Sequence, residues 1–263
     1  LNSAGAAIGA LLAALAHHLG LTLRWQAMRD RWFVGRSAAA LTLLLLWPVG
    51  MLFPAPVPLG LGQMRPHLTG AAEAIGAWLQ DVPWAAPLSD ALLAAEPASL
   101  PGAPLTPFAE GTLTAFGLLA PCLLAFTISP PGWRRFALVL GASVLGLATM
   151  TLSTALNFGP QHAWAWQTAT TLPAVLAAIA LAALSAGLSR RSAAALGLVV
   201  ATALVVLAAQ APGDPYFAHS LQAWEQGRFV RFHGVAQWIG WLWPYALLVH
   251  LLRRVIAREG AHG

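Results

Sequence analysis

Arg228, Arg231 and His233 fall in one short stretch of a chain that otherwise carries little charge. Guanidinium forks bind phosphate or carboxylate bidentately, and an imidazole can donate to the same anion or move a proton. The stretch therefore suits an anionic ligand or lipid headgroup, and it also contains the makings of an acid–base pair. Asp214 and Glu225 lie close by in sequence, so internal salt bridging or ordinary headgroup contact is the plainer use of the same charges. Just downstream, Trp238, Trp241 and Tyr245 share one helical face. They form either an aromatic wall for a sugar or flat lipid-linked headgroup, or an anchor at the membrane interface. Pro244 frees a backbone carbonyl beside them and permits a kink. His17 and His18 are adjacent, so on a helix they point about 100° apart, which is poor for holding one metal ion. The sequence contains no Gly-rich phosphate loop, metalloprotease spacing or Cys/His ligand cluster. No metal and no cofactor are expected.

The elements that must position these residues follow from composition. Of 263 residues, 58% are hydrophobic and 9% charged, and the mean hydropathy is +0.68. Soluble domains carry about 25% charge, so this chain lacks the polar surface to cover a water-soluble body. Apolar runs at 3–23, 37–53, 111–128, 136–156, 169–188, 193–211 and 234–252 are each bounded by Arg, Pro, Gly or Trp. Each is long enough to cross the roughly 30 Å of bilayer hydrocarbon as helix. The expected fold is all-α, a polytopic transmembrane bundle of about seven spans.

All fourteen basic residues are arginine and the formal net charge is +5. They are scattered in small groups with no continuous stripe, which argues against a nucleic-acid partner. Eleven of them occupy alternate connections: Arg24, Arg29, Arg31 and Arg36; Arg134 and Arg135; Arg190 and Arg191; and Arg253, Arg254 and Arg258. Arginine is retained on the cytoplasmic side, so the chain is expected to start outside and end in the cytoplasm. Seven of the nine acids (Glu73, Asp81, Asp90, Glu96, Glu110, Asp214 and Glu225) then face outward. Trp164, Trp166, Trp224, Trp238, Trp241 and Trp243 crowd the outer ends, as an aromatic belt would. Cys122, the lone cysteine, sits in an apolar run and reads as a buried hydrophobe. Two small-xxx-small pairs, Gly5/Gly9 and Ala142/Gly146, mark sites of close helix approach.

The outer segment 54–110 opens with Pro54, Pro56, Pro58, Gly60 and Gly62, which stop the preceding helix. Beyond them Leu68, Ala71, Ala72, Ile75 and Leu79 fall at helical spacing and predict a short surface helix with its apolar face down. It would be either a lid over a lateral opening or a plain connector.

Residues 1–9, Leu-Asn-Ser-Ala-Gly-Ala-Ala-Ile-Gly, resemble the end of the VanZ-like membrane domain, where Asn and small residues open the last helix. Arg31-Trp32-Phe33-Val34, the stretch from Asn157 to His162 and that from Trp224 to Gly234 resemble the long C-terminal extension of some bacterial members. The resemblance implies that residues 1–23 are the last helix of such a core and 24–263 the extension. It also implies an inner-membrane protein of the cell envelope, associated in the family's namesake with teicoplanin resistance. Only Asn2 carries over as a family residue. The start at Leu1, without Met or a basic leader, reads as the C-terminal part of a longer protein. Membrane lipids, among them an anionic or lipid-linked envelope precursor, are the expected partners. An enzyme acting on a lipid-linked sugar or phosphate would need His233 as its proton-transfer group. A transporter is disfavoured because the apolar runs contain no Asp, Glu or Arg.

Overall fold

The computed structural model describes residues 9–11, 14–15, 18–35, 37–53, 55, 57–80, 82–93, 105–211 and 230–256, and among them every regular element is helical. The helices are α1 (Leu21–Trp32), α2 (Ala38–Gly50), α3 (Arg65–Leu79), α4 (Ala86–Leu93), α5 (Pro107–Ile128), α6 (Trp133–Phe158), α7 (Thr171–Leu184), α8 (Arg190–Ala208) and α9 (Val230–Ile256). Among the described residues, four helices are long and apolar enough to cross a membrane: α5, α6, α8 and the Gly234–Ile256 part of α9. Two more, Ala38–Gly50 and Thr171–Gly187, are apolar but shorter. The expectation of about seven full-length spans is thus met by four, and about half of the window 3–23 lies outside the described residues.

Helix α5 is the axis of the bundle. Thr106 caps it by accepting from the Ala109 N–H, Pro107 occupies the first turn, and Glu110 complements the helix dipole there. From Leu113 onward nearly every residue is buried, because a helix that is apolar on all sides must be enclosed. It packs against α2, α6, α7, α8 and α9, with α2 and α8 each also lying along α9. The outer faces of these neighbours are apolar as well. Phe136, Leu140 and Val144 on α6 are exposed one turn apart, and Val235, Leu242, Val249 and Ile256 are exposed two turns apart along α9. Exposed apolar stripes of this kind on helices of spanning length fit a lipid-facing surface.

The helices run alternately up and down. At one end the Val34 N–H donates to the Ile128 carbonyl at 2.9 Å, joining the entry to α2 with the end of α5. Arg134, Arg135, Arg190, Arg191, Arg253 and Arg254 lie at that same end, where Arg190 approaches Arg135 and Arg254 closely enough to repel both. Arg135 differs from the surface marker expected of it: its exposure is 0%. Its guanidinium donates to the carbonyls of Ala186 (3.0 Å) and Leu188 (2.6 Å) beyond α7, and of Phe126 and Ser129 (both 2.9 Å) at the end of α5. The Phe126 ring covers it at 5.0 Å. Helix C-termini carry unpaired carbonyls and partial negative charge, and a buried cation can be satisfied there without any carboxylate.

At the opposite end, α3 and α4 form a hairpin through the turn Pro83–Ala85. A helix does form where the Leu68–Leu79 spacing predicts one. The hairpin buries Gly76, Leu79, Ala85 and Ser89 in its own seam, while Trp78 and Trp84 remain 70% and 82% exposed. The expected aromatic belt is split. Trp164 and Trp238 are exposed, but Trp166 and Trp243 are buried and donate to the Thr151 hydroxyl (3.0 Å) and the Leu43 carbonyl (2.7 Å). Trp224 lies outside the described residues.

Candidate functional site

Helix α2 has 13 residues, about 20 Å at 1.5 Å per residue, well short of the hydrocarbon thickness. Pro48 weakens its last turns, and the prolines that follow forbid helix. The chain then turns inward. Residues 57–62 have no regular structure, yet all are buried. A β-turn closes with the Gly60 N–H donating to the Val57 carbonyl at 2.9 Å. Pro58 precedes Leu59, whose φ of 62° is left-handed, the arrangement of a type II turn with Leu where Gly is usual. The strained backbone persists because the Leu59 side chain is fully buried.

The segment reaches the middle of the bundle. A Cβ on Gly117 would collide with the Leu59 carbonyl, and one on Gly146 would meet the Leu59 side chain and the Trp47 ring. Gly117 and Gly146 are the midpoints of α5 and α6. This part of 54–110, read from sequence as an outer connector, is therefore a plug at mid-depth. Ser153 and Asn157 on α6 hold its entry by donating to the Leu52 carbonyl at 3.1 and 3.2 Å. On the other side α2 and α9 meet backbone to backbone: a Cβ on Gly50 would lie 2.9 Å from the Gly240 Cα.

Between the plug and α9 is a cleft with about 250 Å³ of empty space, open on one side. Gly50, Phe53 and Ala55 line it from α2 and its exit, Gly60 to Gln63 from the plug, and Gln237, Gly240 and Trp241 from α9. None of these side chains titrates near neutral pH. Gln63 also donates to the Ala211 carbonyl at 3.4 Å, which ties the plug to the end of α8. The Trp238 and Trp241 rings meet edge to face at 5.2 Å and 72°. Trp241 is half-buried in the cleft wall, whereas Tyr245 is half-buried outside it.

The structure thus brings Trp241 to a cleft, with Trp238 against it, and leaves Tyr245 apart. Arg228 lies outside the described residues. Arg231 and His233 belong to the first turn of α9, and their side chains are outside what is described. Gln63 and Gln237 escaped the sequence reading because neutral amides carry no signature of chemistry. Pro-rich and Gly-rich turns beside an undersized apolar run were the available signal. Among the described residues no three His, Cys, Asp or Glu side chains cluster as metal ligands would. No family model, no curated protein and no solved structure matches the chain.

Proposed function

We propose that the chain is a multi-spanning protein of the bacterial inner membrane that recognises the headgroup of a lipid or lipid-linked envelope precursor in the cleft between the plug and α9. In this reading the four long helices, the two shorter apolar ones and the segment 3–23 supply about seven crossings, with the arginine-rich end in the cytoplasm and the cleft opening toward the outer leaflet. The observation that carries the reading is the buried, non-helical segment 57–62, whose Gly60, Leu61 and Gly62 line a cleft beside Trp241. Irregular backbone at membrane depth is tolerated only where protein encloses it or where it lines a cavity. Where the lipid carries a phosphate, Arg231 and His233 in the first turn of α9, with Arg228 close before them in sequence, would meet it beyond the residues that line the cleft. The resemblance to VanZ-like proteins supports an envelope role, including teicoplanin resistance.

The test is the lipid that stays with the full chain after purification in mild detergent, identified by mass spectrometry. Trp241→Leu is expected to lose it while keeping the wild-type Tm, and a lipid profile identical to the bulk membrane in both proteins rejects the site. Orientation is tested separately by membrane-impermeant thiol reagents on single cysteines placed at 134, 191, 253 and 84 in a Cys122→Ala background. The first three are expected to share a compartment that excludes the fourth.

A second reading, transport, is favoured by one feature: an undersized helix followed by unwound backbone at mid-depth is how transporters build substrate sites. Lipid or solute flux in proteoliposomes, abolished by Gly117→Val, would establish it. An enzyme would instead require His233, and His233→Gln would stop turnover without loss of fold.

A further inference from the structure

Among the described residues, some backbone groups of the residues lining the cleft have no hydrogen-bond partner. Within 57–62 the hydrogen bonds to other described backbone are those of the Gly60 N–H to Val57 and of the Met64 N–H to the Gly62 carbonyl, at 2.9 and 2.8 Å. Among the described residues the N–H groups of Leu61 and Gly62 and the carbonyls of Gly60 and Leu61 have no partner, and all three residues line the cleft. Buried backbone groups are almost always paired, with protein, water or a ligand. The wall is therefore made for a guest that offers donors and acceptors together.

We infer that the group held there is uncharged and rich in hydroxyls, the sugar or glycerol end of a neutral lipid, and not a phosphate or carboxylate. This deepens the headgroup reading and rests on it. A hydroxyl both donates and accepts, as do the amides of Gln63 and Gln237. An anion can only accept, so it would face the Gly60 and Leu61 carbonyls with no cation among the described residues of the lining. A cation can only donate and would face the Leu61 and Gly62 N–H groups. Trp241, steadied by Trp238, adds an apolar ring surface suited to the C–H face of a pyranose.

The full chain in detergent is titrated with monoglucosyl diacylglycerol and, separately, with phosphatidic acid of the same acyl chains, and retention is read by native mass spectrometry. The glucolipid is expected to bind the tighter. Gln237→Leu and Gln63→Leu should each weaken it by about tenfold, the loss of one buried hydrogen bond, and leave phosphatidic acid unchanged. Trp241→Phe should retain most of the binding that Trp241→Leu loses. If phosphatidic acid binds the tighter and is the lipid lost in these variants, headgroup recognition stands and the neutral ligand is overturned. If variants with wild-type Tm alter neither lipid, both fall.

Discussion

Two regions of this bundle face the same physical problem and treat it in opposite ways. Where α5 and α7 end, backbone carbonyls are freed inside a low-dielectric body, and Arg135 takes four of them. Where α2 ends, residues 57–62 enter the middle of the bundle with few internal hydrogen bonds and, among the described residues, no charged side chain to meet them. The first region is closed by the protein itself, so it holds the helices in place and offers nothing to a guest. The second is left open at a cleft, and its unpaired groups are what a ligand can use. A chain able to bury a guanidinium on carbonyls at one place has the means to close the other; leaving it open is consistent with binding.

The largest effect expected from breaking this contrast is at Arg135. Arg135→Met fills the space but leaves four carbonyls without donors. Removing one partner from a buried charged network costs about 3–5 kcal/mol, read as a fall in Tm in detergent. Arg135→Lys keeps the charge with three donors in place of five and should fall between. A wild-type Tm for Arg135→Met would mean that the two regions do not differ in kind.

A smaller effect separates two glycines. Gly117→Ala sets a Cβ against the Leu59 carbonyl, which as backbone cannot step aside, so overpacking of about 1–3 kcal/mol is expected. Gly141→Ala meets open space and should stabilise by up to about 1 kcal/mol through helix propensity. A cysteine at position 63, in the Cys122→Ala background, should become more reactive to thiol reagent in the first variant and not in the second. Equal tolerance of both alanines would show that the plug does not press on α5.

The helical class and the apolar windows were legible because hydrophobic runs report burial in lipid or protein alike. The same property hid the division of labour among them. Nothing in the run 111–128 distinguishes it from 136–156, yet α5 is enclosed while α6 exposes a stripe of Phe136, Leu140 and Val144; its Gly117 and Pro121 fit a central helix only once its neighbours are known. Arginine positions gave the common end, but Arg134 and Arg135 are adjacent and only the second is buried, since helical register decides which one meets the carbonyls. The Pro and Gly run after α2 correctly announced a break. That it turns inward depends on small residues at Gly117 and Gly146, on helices distant in sequence, and on a tertiary fit that no local pattern encodes.

The smallest effect expected is at the seam between α2 and α9, and it sharpens the comparison by supplying a buried hydrogen bond of ordinary kind. The Trp243 N–H donates to the Leu43 carbonyl at 2.7 Å. That carbonyl lies within α2, where the helix provides its own donor, so Trp243→Phe removes a second donor without leaving an orphan acceptor. A loss of about 1 kcal/mol is expected, well below that of Arg135→Met. Trp243 is absent from the cleft lining, so retention of lipid should not change. If Trp243→Phe lowers Tm as far as Arg135→Met does, the seam at Gly50 and Gly240 holds the bundle together and the guanidinium does not.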